Sequence, residues 1–174
     1  MLVLIGPSAS GKTEIAHYLI KKYKMKRVVT CTTRKKRVGE EDGVDYYFLT
    51  FEEFNDKIAN NEFLEYTLYN KNYYGTLKKE VSKEKILIIE ANGFYSLKKI
   101  IPKQMTSFFL RAPTDERLKR MIRRGDLLDN IDKKKAYDDD NFPNEIIGVD
   151  YIINNFEQSI DKSAEEIYEL YNKE

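Results

Sequence analysis

The sequence predicts an α/β fold: a parallel β-sheet flanked by helices, with a small β-rich insertion and a short helical segment late in the chain. Three observations carry this. Short, continuously apolar runs alternate with stretches of helical period, as in a sheet buried on both faces. The first run opens directly into a glycine-containing loop and then a helix. Between residues 44 and 75 the alternation gives way to tyrosine-rich pieces separated by turn residues.

Taken in order, Leu2–Ile5 is too short for a helix and is bounded by Gly6-Pro7, so it reads as a buried strand. Residues 14–23 place Ile15, Ala16, Leu19, Ile20 and Tyr23 at helical spacing, with Lys21, Lys22 and Lys24 at the end the helix dipole favours for cations. Residues 27–30 read as a second strand. Asp45-Tyr46-Tyr47-Phe48-Leu49, Phe63–Tyr69 and Tyr73-Tyr74 read as β pieces, with a turn around Asn70-Lys71-Asn72. Thr50 is placed to cap a helix over Phe51–Ala59, Thr76 one over 77–83, and Thr114 one over 115–124 with a stripe of Leu118, Met121 and Ile122. Residues 86–89, 106–110 and 150–154 complete five parallel strands. Ile160, Ala164, Ile167 and Tyr171 form the stripe of a last helix.

The length, 174 residues, is that of one domain at roughly 100–200 residues each. Charged residues are 34%, above the roughly 25% usual in globular proteins, yet 30 Lys+Arg against 29 Asp+Glu leaves only +1. That balance argues against a polybasic nucleic-acid binder and against an acidic tail. A single cysteine, Cys31, excludes an internal disulfide framework and a multi-cysteine zinc site. No apolar run approaches the roughly 18 residues of a membrane helix, and the N-terminus has no signal-peptide pattern. The expectation is a reduced, cytoplasmic domain with neither membrane nor nucleic acid as partner.

Gly6-Pro7-Ser8-Ala9-Ser10-Gly11-Lys12-Thr13 fits G-x-x-x-x-G-K-[ST] in the required strand–loop–helix context, which makes the fold P-loop NTPase-type. Glycines let successive backbone N–H groups turn toward a phosphate, and the helix N-terminus adds partial positive charge. Gly6, Ser8, Ala9, Ser10, Gly11, Lys12 and Thr13 are therefore the expected ATP-binding residues. Lys12 reaches terminal phosphate oxygens, and the Thr13 hydroxyl is placed to ligate Mg²⁺. The loop alone leaves the fate of the γ-phosphate open: transfer, hydrolysis and switching all use it.

Two further segments narrow the choice. One is Thr30-Cys31-Thr32-Thr33-Arg34-Lys35-Lys36-Arg37-Val38-Gly39-Glu40-Glu41-Asp42-Gly43-Val44-Asp45-Tyr46-Tyr47-Phe48. The other is Glu62-Phe63-Leu64-Glu65-Tyr66 with Asn72-Tyr73-Tyr74-Gly75-Thr76. With the Gly-Pro-Ser opening of the loop, they resemble the guanylate kinases, whose T-T-R-x-x-R-x-G-E-x-x-G-x-D-Y-x-F, F-L/I-E and N-Y-Y-G-S/T stretches occur in the same order. The resemblance runs to about Gly125. Chemistry agrees with it. Arg34 and Arg37 offer forked donors to a monophosphate dianion. A carboxylate such as Glu65 accepts from guanine N1–H and N2–H₂ together, whereas adenine N1 would face its lone pairs.

The resemblance implies that Thr30, Glu65, Thr76 and Glu90 contact the base and that Arg34, Arg37, Tyr46 and Tyr74 hold the acceptor phosphate. It implies Lys12, Arg34, Arg120 and Arg124 as catalytic residues, the last two clamping donor phosphates as a lid closes. It implies an adenine pocket lined by backbone near the final strand. Apart from the resemblance, Lys85-Ile86-Leu87-Ile88-Ile89-Glu90 is an apolar run ending in a carboxylate, a Walker-B-like arrangement that makes Glu90, with Thr13, the expected holder of Mg²⁺. The sequence departs from the family at the end of the 85–90 run. Two aspartates are usual there, and this chain has Ile88 and Glu90, with Asn92-Gly93 following. Lys133-Lys134-Lys135 lies where another lid arginine is usual.

The expected organisation is a core of residues 1–31, 76–124 and 149–174, a GMP-binding insertion of about 32–75 and a lid of about 125–148. The expected reaction is MgATP-dependent phosphorylation of GMP, and of dGMP, by a monomer or homodimer. The competing readings are a P-loop kinase for another phosphorylated acceptor, a catalytically weak guanylate-kinase-like binding module, and a nucleic-acid binder. His17, mid-helix, and Cys31, at a strand end, are expected to be structural.

Overall fold

The computed structural model describes residues 1–69, 71–142 and 146–173. Its centre is a five-stranded parallel sheet in the order β2–β7–β1–β8–β9. The strands are β1 (Leu2–Ile5), β2 (Lys26–Arg27), β7 (Lys85–Ile89), β8 (Thr106–Arg111) and β9 (Tyr151–Asn154). β1 lies in the middle, with Leu2 beside Ile86 on one side and Thr106 on the other. Its successive side chains enter two different cores, which is why every residue of it is apolar. Leu2 and Leu4 pack with Ile15, Leu19 and Phe108 under α1 (Lys12–Tyr23) and α6 (Ile160–Asn172). Val3 and Ile5 pack with Phe94, Leu97 and Phe109 under α3 (Ala91–Ile100).

A second, four-stranded sheet has the order β4–β3–β6–β5, from β3 (Thr30–Thr32), β4 (Tyr46–Phe48), β5 (Phe63–Tyr69) and β6 (Asn72–Leu77). α2 (Phe51–Ala59) covers it. Thr50 and Glu53 form the reciprocal capping box at its start, and Phe54 stacks on Phe63 at 4.3 Å. Leu64 of β5 packs into the core that contains Phe94, so the second sheet is tied to the central one beside the start of α3. α4 (Thr114–Arg124) and α5 (Leu128–Asn141) follow β8.

Four of the five parallel strands and the helix at Phe51–Ala59 lie where the sequence places them, and other details differ. The strand expected over 27–30 is divided between the two sheets. Val28 N–H still bonds Ile86 of the central sheet, but Val29 N–H turns to the buried Glu80 carboxylate, and the chain then enters β3. No helix spans 77–83. Thr76 and Leu77 belong to β6, because the Thr76 hydroxyl is engaged across the sheet, and only a 3₁₀ turn at Lys78–Glu80 follows. α4 starts at Thr114 itself, whose hydroxyl accepts from Arg117 instead of capping. Its inward face carries Arg117 and Met121, while Ile122 is 61% exposed. Asn70, part of the expected turn, lies outside the described residues; Lys71, next to it, has the left-handed φ of 63°.

Candidate active site

The phosphate loop joins β1 to α1. Gly11 has φ +101°, and a Cβ there would meet the Asn155 side-chain nitrogen at 2.1 Å, so only glycine fits. That nitrogen donates to Ser10 O at 2.7 Å from a fully buried asparagine just after β9, and so ties the loop to the sheet's far edge. Lys12 bends back over the loop, donating to Gly6 O at 2.5 Å and Pro7 O at 2.8 Å. Burial lowers its pKa, while the Glu90 and Asp138 carboxylates oppose that shift and Arg117 adds to it. Thr13 is exposed at the first turn of α1.

Glu90 follows β7 directly and is the N-cap residue of α3. Loss of water around its carboxyl raises it from the usual range, with Lys12 acting against the shift and Asp138 adding to it. The loop lysine and the strand-end acid are therefore electrostatic neighbours.

On the second sheet, Glu65 and Thr76 are cross-strand partners in β5 and β6, and the Thr76 hydroxyl donates to Glu65 Oε1 at 2.7 Å. Thr76 is 1% exposed. Burial raises the Glu65 carboxyl, with the hydroxyl and backbone of Thr76 holding it down. Thr30 of β3 lies beside Tyr46 of β4. The Arg34 guanidinium forks onto Glu40, Nη1 to Oε2 at 3.0 Å and Nη2 to Oε1 at 2.7 Å. It also lies over the rings of Tyr46 and Phe48. Tyr46 meets Tyr74 edge-on at 6.3 Å. Arg34, Tyr46 and Tyr74 are thus one cluster. Arg37 is not part of it: its backbone N–H bonds Glu40, and its residue is exposed on the same loop.

Arg120 of α4 reaches the phosphate loop, donating to Ala9 O at 3.2 Å and Asn155 O at 2.7 Å. Arg124, one turn on, forks onto Asp126, which also accepts from Lys134 of α5; both partners hold the Asp126 carboxyl well below its usual value. Ala9, Gly11, Arg120, Arg124 and Ser159 help line a cavity of about 470 Å³ beside the loop.

The sequence reading assigns no role to four residues of the site: Glu40, Asn155, Arg117 and Asp138. Arg117 and Asp138 form a buried ion pair at 2.7 Å between α4 and α5, against the phosphate loop. One signal was available. Arg117, Arg120 and Arg124 follow i, i+3, i+7 spacing, which puts three arginines on one helix face. His17 is exposed. Cys31 is buried, and its thiol is pushed up to about 11 by that burial.

Among the described residues no cluster of three or more His, Cys, Asp or Glu is placed to hold a metal ion. Mg²⁺ does not require one: it takes one or two protein oxygens and completes its shell with water and phosphate. An exposed threonine hydroxyl at the loop and a carboxylate next to the loop lysine fit that oxygen chemistry. Among the described residues no helix is long and apolar enough to cross a membrane.

The family model described as guanylate kinase matches residues 1–174. A guanylate kinase of Fusobacterium nucleatum is 39% identical over 127 residues, covering 70% of this chain and 69% of the relative. One from Hydrogenovibrio crunogenus is 33% identical, covering 98% and 86%. Among solved structures, guanylate kinase from Anaplasma phagocytophilum has the same fold, with a TM-score of 0.68 at 24% identity over 99% of this chain and 84% of that one.

Proposed function

We infer, from the premise that the chain belongs to the guanylate kinase family, that it catalyses phosphoryl transfer from ATP to GMP, giving ADP and GDP. The observation that best supports this acceptor is the Glu65–Thr76 pair. A partly desolvated carboxylate, braced by one hydroxyl, keeps lone pairs for the N1–H and N2–H₂ of guanine. Adenine offers no such pair of donors, so the same carboxylate works against AMP. dGMP presents the same base and is accepted as well.

The assignment of roles is the one the family resemblance implies, and the chemistry of the residues agrees with it. Arg34, with Tyr46 and Tyr74 around it, receives the GMP phosphate, and Arg37 turns in from the exposed loop to complete its neutralisation. Thr30 and Glu90 border the base on the core side. Lys12, Gly6 and the loop amides from Ser8 to Thr13 hold the donor phosphates, and Arg120 and Arg124 neutralise charge on the transferring group. Thr13 and Glu90 would hold Mg²⁺, which when bound would supply Lewis-acid neutralisation of the donor's phosphates. The acceptor is already a phosphate anion, so no general base is needed, and transfer proceeds in line without a covalent intermediate.

In this reading residues 1–31, 76–124 and 149–174 are the core, 32–75 the GMP-binding insertion and 125–148 the lid. Closure of insertion and lid excludes water and so favours transfer over hydrolysis. The protein works in the cytoplasm. The test is ADP formation with MgATP against GMP, dGMP, AMP, CMP and UMP. Turnover with GMP and dGMP and not with the other three is expected; a preference for AMP, CMP or UMP overturns the acceptor, and tight GMP binding without product overturns the catalysis.

A further inference from the structure

Asp138 is a buried acid for which the roles above have no use. It lies near the end of α5, is 2% exposed, and receives two donors from different elements on one oxygen. The Ser8 backbone N–H reaches Oδ2 at 3.0 Å and Arg117 Nη1 reaches it at 2.7 Å. The Ser8 hydroxyl meets Oδ1 at 3.3 Å. Arg117, itself 5% exposed, also approaches Ser8 O at 3.4 Å, and its Nε–H is buried with no partner among the described residues.

A phosphate-loop amide and a guanidinium converging on a single anionic oxygen form the donor set that suits a phosphoryl oxygen. The carboxylate resembles that oxygen in sign and in acceptor geometry, and carries less charge than the donor nucleotide's phosphates. We propose that the Ser8 amide and Arg117 form a phosphoryl-oxygen subsite for the donor nucleotide, and that Asp138 fills this subsite as an internal competitor which the nucleotide displaces. The proposal rests on ATP being the donor.

Two consequences and one observation favour exchange over a permanent brace. Exchange would keep Arg117 paired, so the large cost of a buried, uncompensated charge would not arise. It would carry Asp138, 2% exposed here, from burial into water. A cavity of about 760 Å³, lined in part by Pro7, Thr114, Arg117, Asp138 and Phe142, adjoins the pair and gives the end of α5 room to turn. The acid's field also extends to Lys12 and Glu90, although burial is the larger influence on each. Arg117 thereby joins Arg120, one turn along the same helix face, at the phosphate loop.

The test is calorimetric titration of the whole chain with ATP and, separately, with GMP. Asp138→Asn keeps the shape and an acceptor for Ser8 while removing the competing charge. It is expected to tighten ATP binding about three- to tenfold and to leave GMP binding unchanged. Arg117→Gln is expected to weaken ATP binding about tenfold. Unchanged or weaker ATP binding by folded Asp138→Asn overturns the proposal, as does parental affinity in Arg117→Gln. The unmodified protein supplies a reading free of folding effects. The Asp138 carboxyl ¹³C resonance should move on saturation with ATP and stay in place with GMP; a resonance unmoved by ATP overturns the exchange. A parent that binds ATP yet leaves GMP unphosphorylated counts against the function inferred above and leaves the subsite test standing.

Discussion

Glu40 holds the Arg34 guanidinium by two hydrogen bonds, 3.0 and 2.7 Å long, and its Oε2 also accepts from the Arg37 backbone N–H at 2.8 Å. The Arg34 pair raises the guanidinium and lowers the carboxyl. This geometry leaves Arg34 fixed in direction over Tyr46. Glu40→Gln releases one side of the fork, and the expected outcome is a KM for GMP raised about five- to tenfold with kcat nearly unchanged. Arg34→Lys, which cannot fork, should lose about tenfold more in kcat/KM. Steady-state kinetics at varied GMP check both; an unchanged KM in Glu40→Gln would mean that Tyr46 and Phe48 alone orient the arginine.

Glu65 links specificity, pH and stability. Glu65→Gln exchanges an acceptor for a donor opposite guanine, so kcat/KM for GMP should fall about 10²–10³-fold, with a much smaller change for AMP. The raised carboxyl carries its own sign. GMP affinity should decline on acidification from above the usual carboxylate range, because the protonated acid no longer accepts from both guanine donors. For folding the sign is opposite. With its folded pKa above the unfolded one, Glu65 binds more protons in the folded state, so its contribution to stability falls as pH rises between the two values. Glu65→Gln should therefore melt slightly higher at neutral pH, by about 1–2 °C, while losing activity. Scanning calorimetry beside the kinetic assay checks this; a lower Tm would show that the Thr76 bond outweighs desolvation.

Much of this fold was legible because buried parallel strands and capped helices leave local patterns. Leu2–Ile5 is apolar throughout, and Thr50 with Glu53 spells a capping box. The exit from β2 left no such pattern. Val28 and Val29 are apolar in either sheet, and what separates them is a carboxylate 51 residues away. α3 was missed because Asn92 and Gly93 weaken its first turn, although Ala91, Phe94 and Leu97 keep the spacing. The Arg117–Asp138 pair was hidden for the converse reason. Each charge, read alone, belongs on a solvated face, and only the meeting of α4 and α5 against the phosphate loop buries them together.

Lys12 and Glu90 support one another. Burial favours the neutral amine of Lys12, and the Glu90 carboxylate is the first force opposing it. Lys12→Ala should lower kcat about 10³-fold, the loss of one cation facing the transferring phosphate. Glu90→Gln leaves Lys12 in place and removes the carboxylate that most opposes the effect of burial on it. Its alkaline pH–rate limb should therefore begin at lower pH than in the parent, and the Mg²⁺ concentration giving half-maximal rate should rise about tenfold. A pH–rate profile and a Mg²⁺ titration separate the effects. Full magnesium-dependent turnover in Glu90→Gln would remove the metal role from this residue.

Arg120 and Arg124 differ in what they do for the fold, and that difference is testable. Arg120 donates to Ala9 O and Asn155 O, joining α4 to the phosphate loop and to the residue that closes the loop against Gly11. Arg120→Ala leaves both carbonyls without this donor. It should cost about 1–2 kcal/mol of stability, or about 2–6 °C in Tm, together with the rate. Arg124 forks onto Asp126 with half its side chain in water, an arrangement that contributes little to folding. Arg124→Ala should therefore melt within about 1 °C of the parent while kcat falls at least about tenfold, because its charge is needed only when the transferring phosphoryl group develops its own. Thermal melts and single-turnover rates on both variants check the contrast. Equal losses of stability in the two would refute the separation of roles, as would an Arg124→Ala enzyme of full rate.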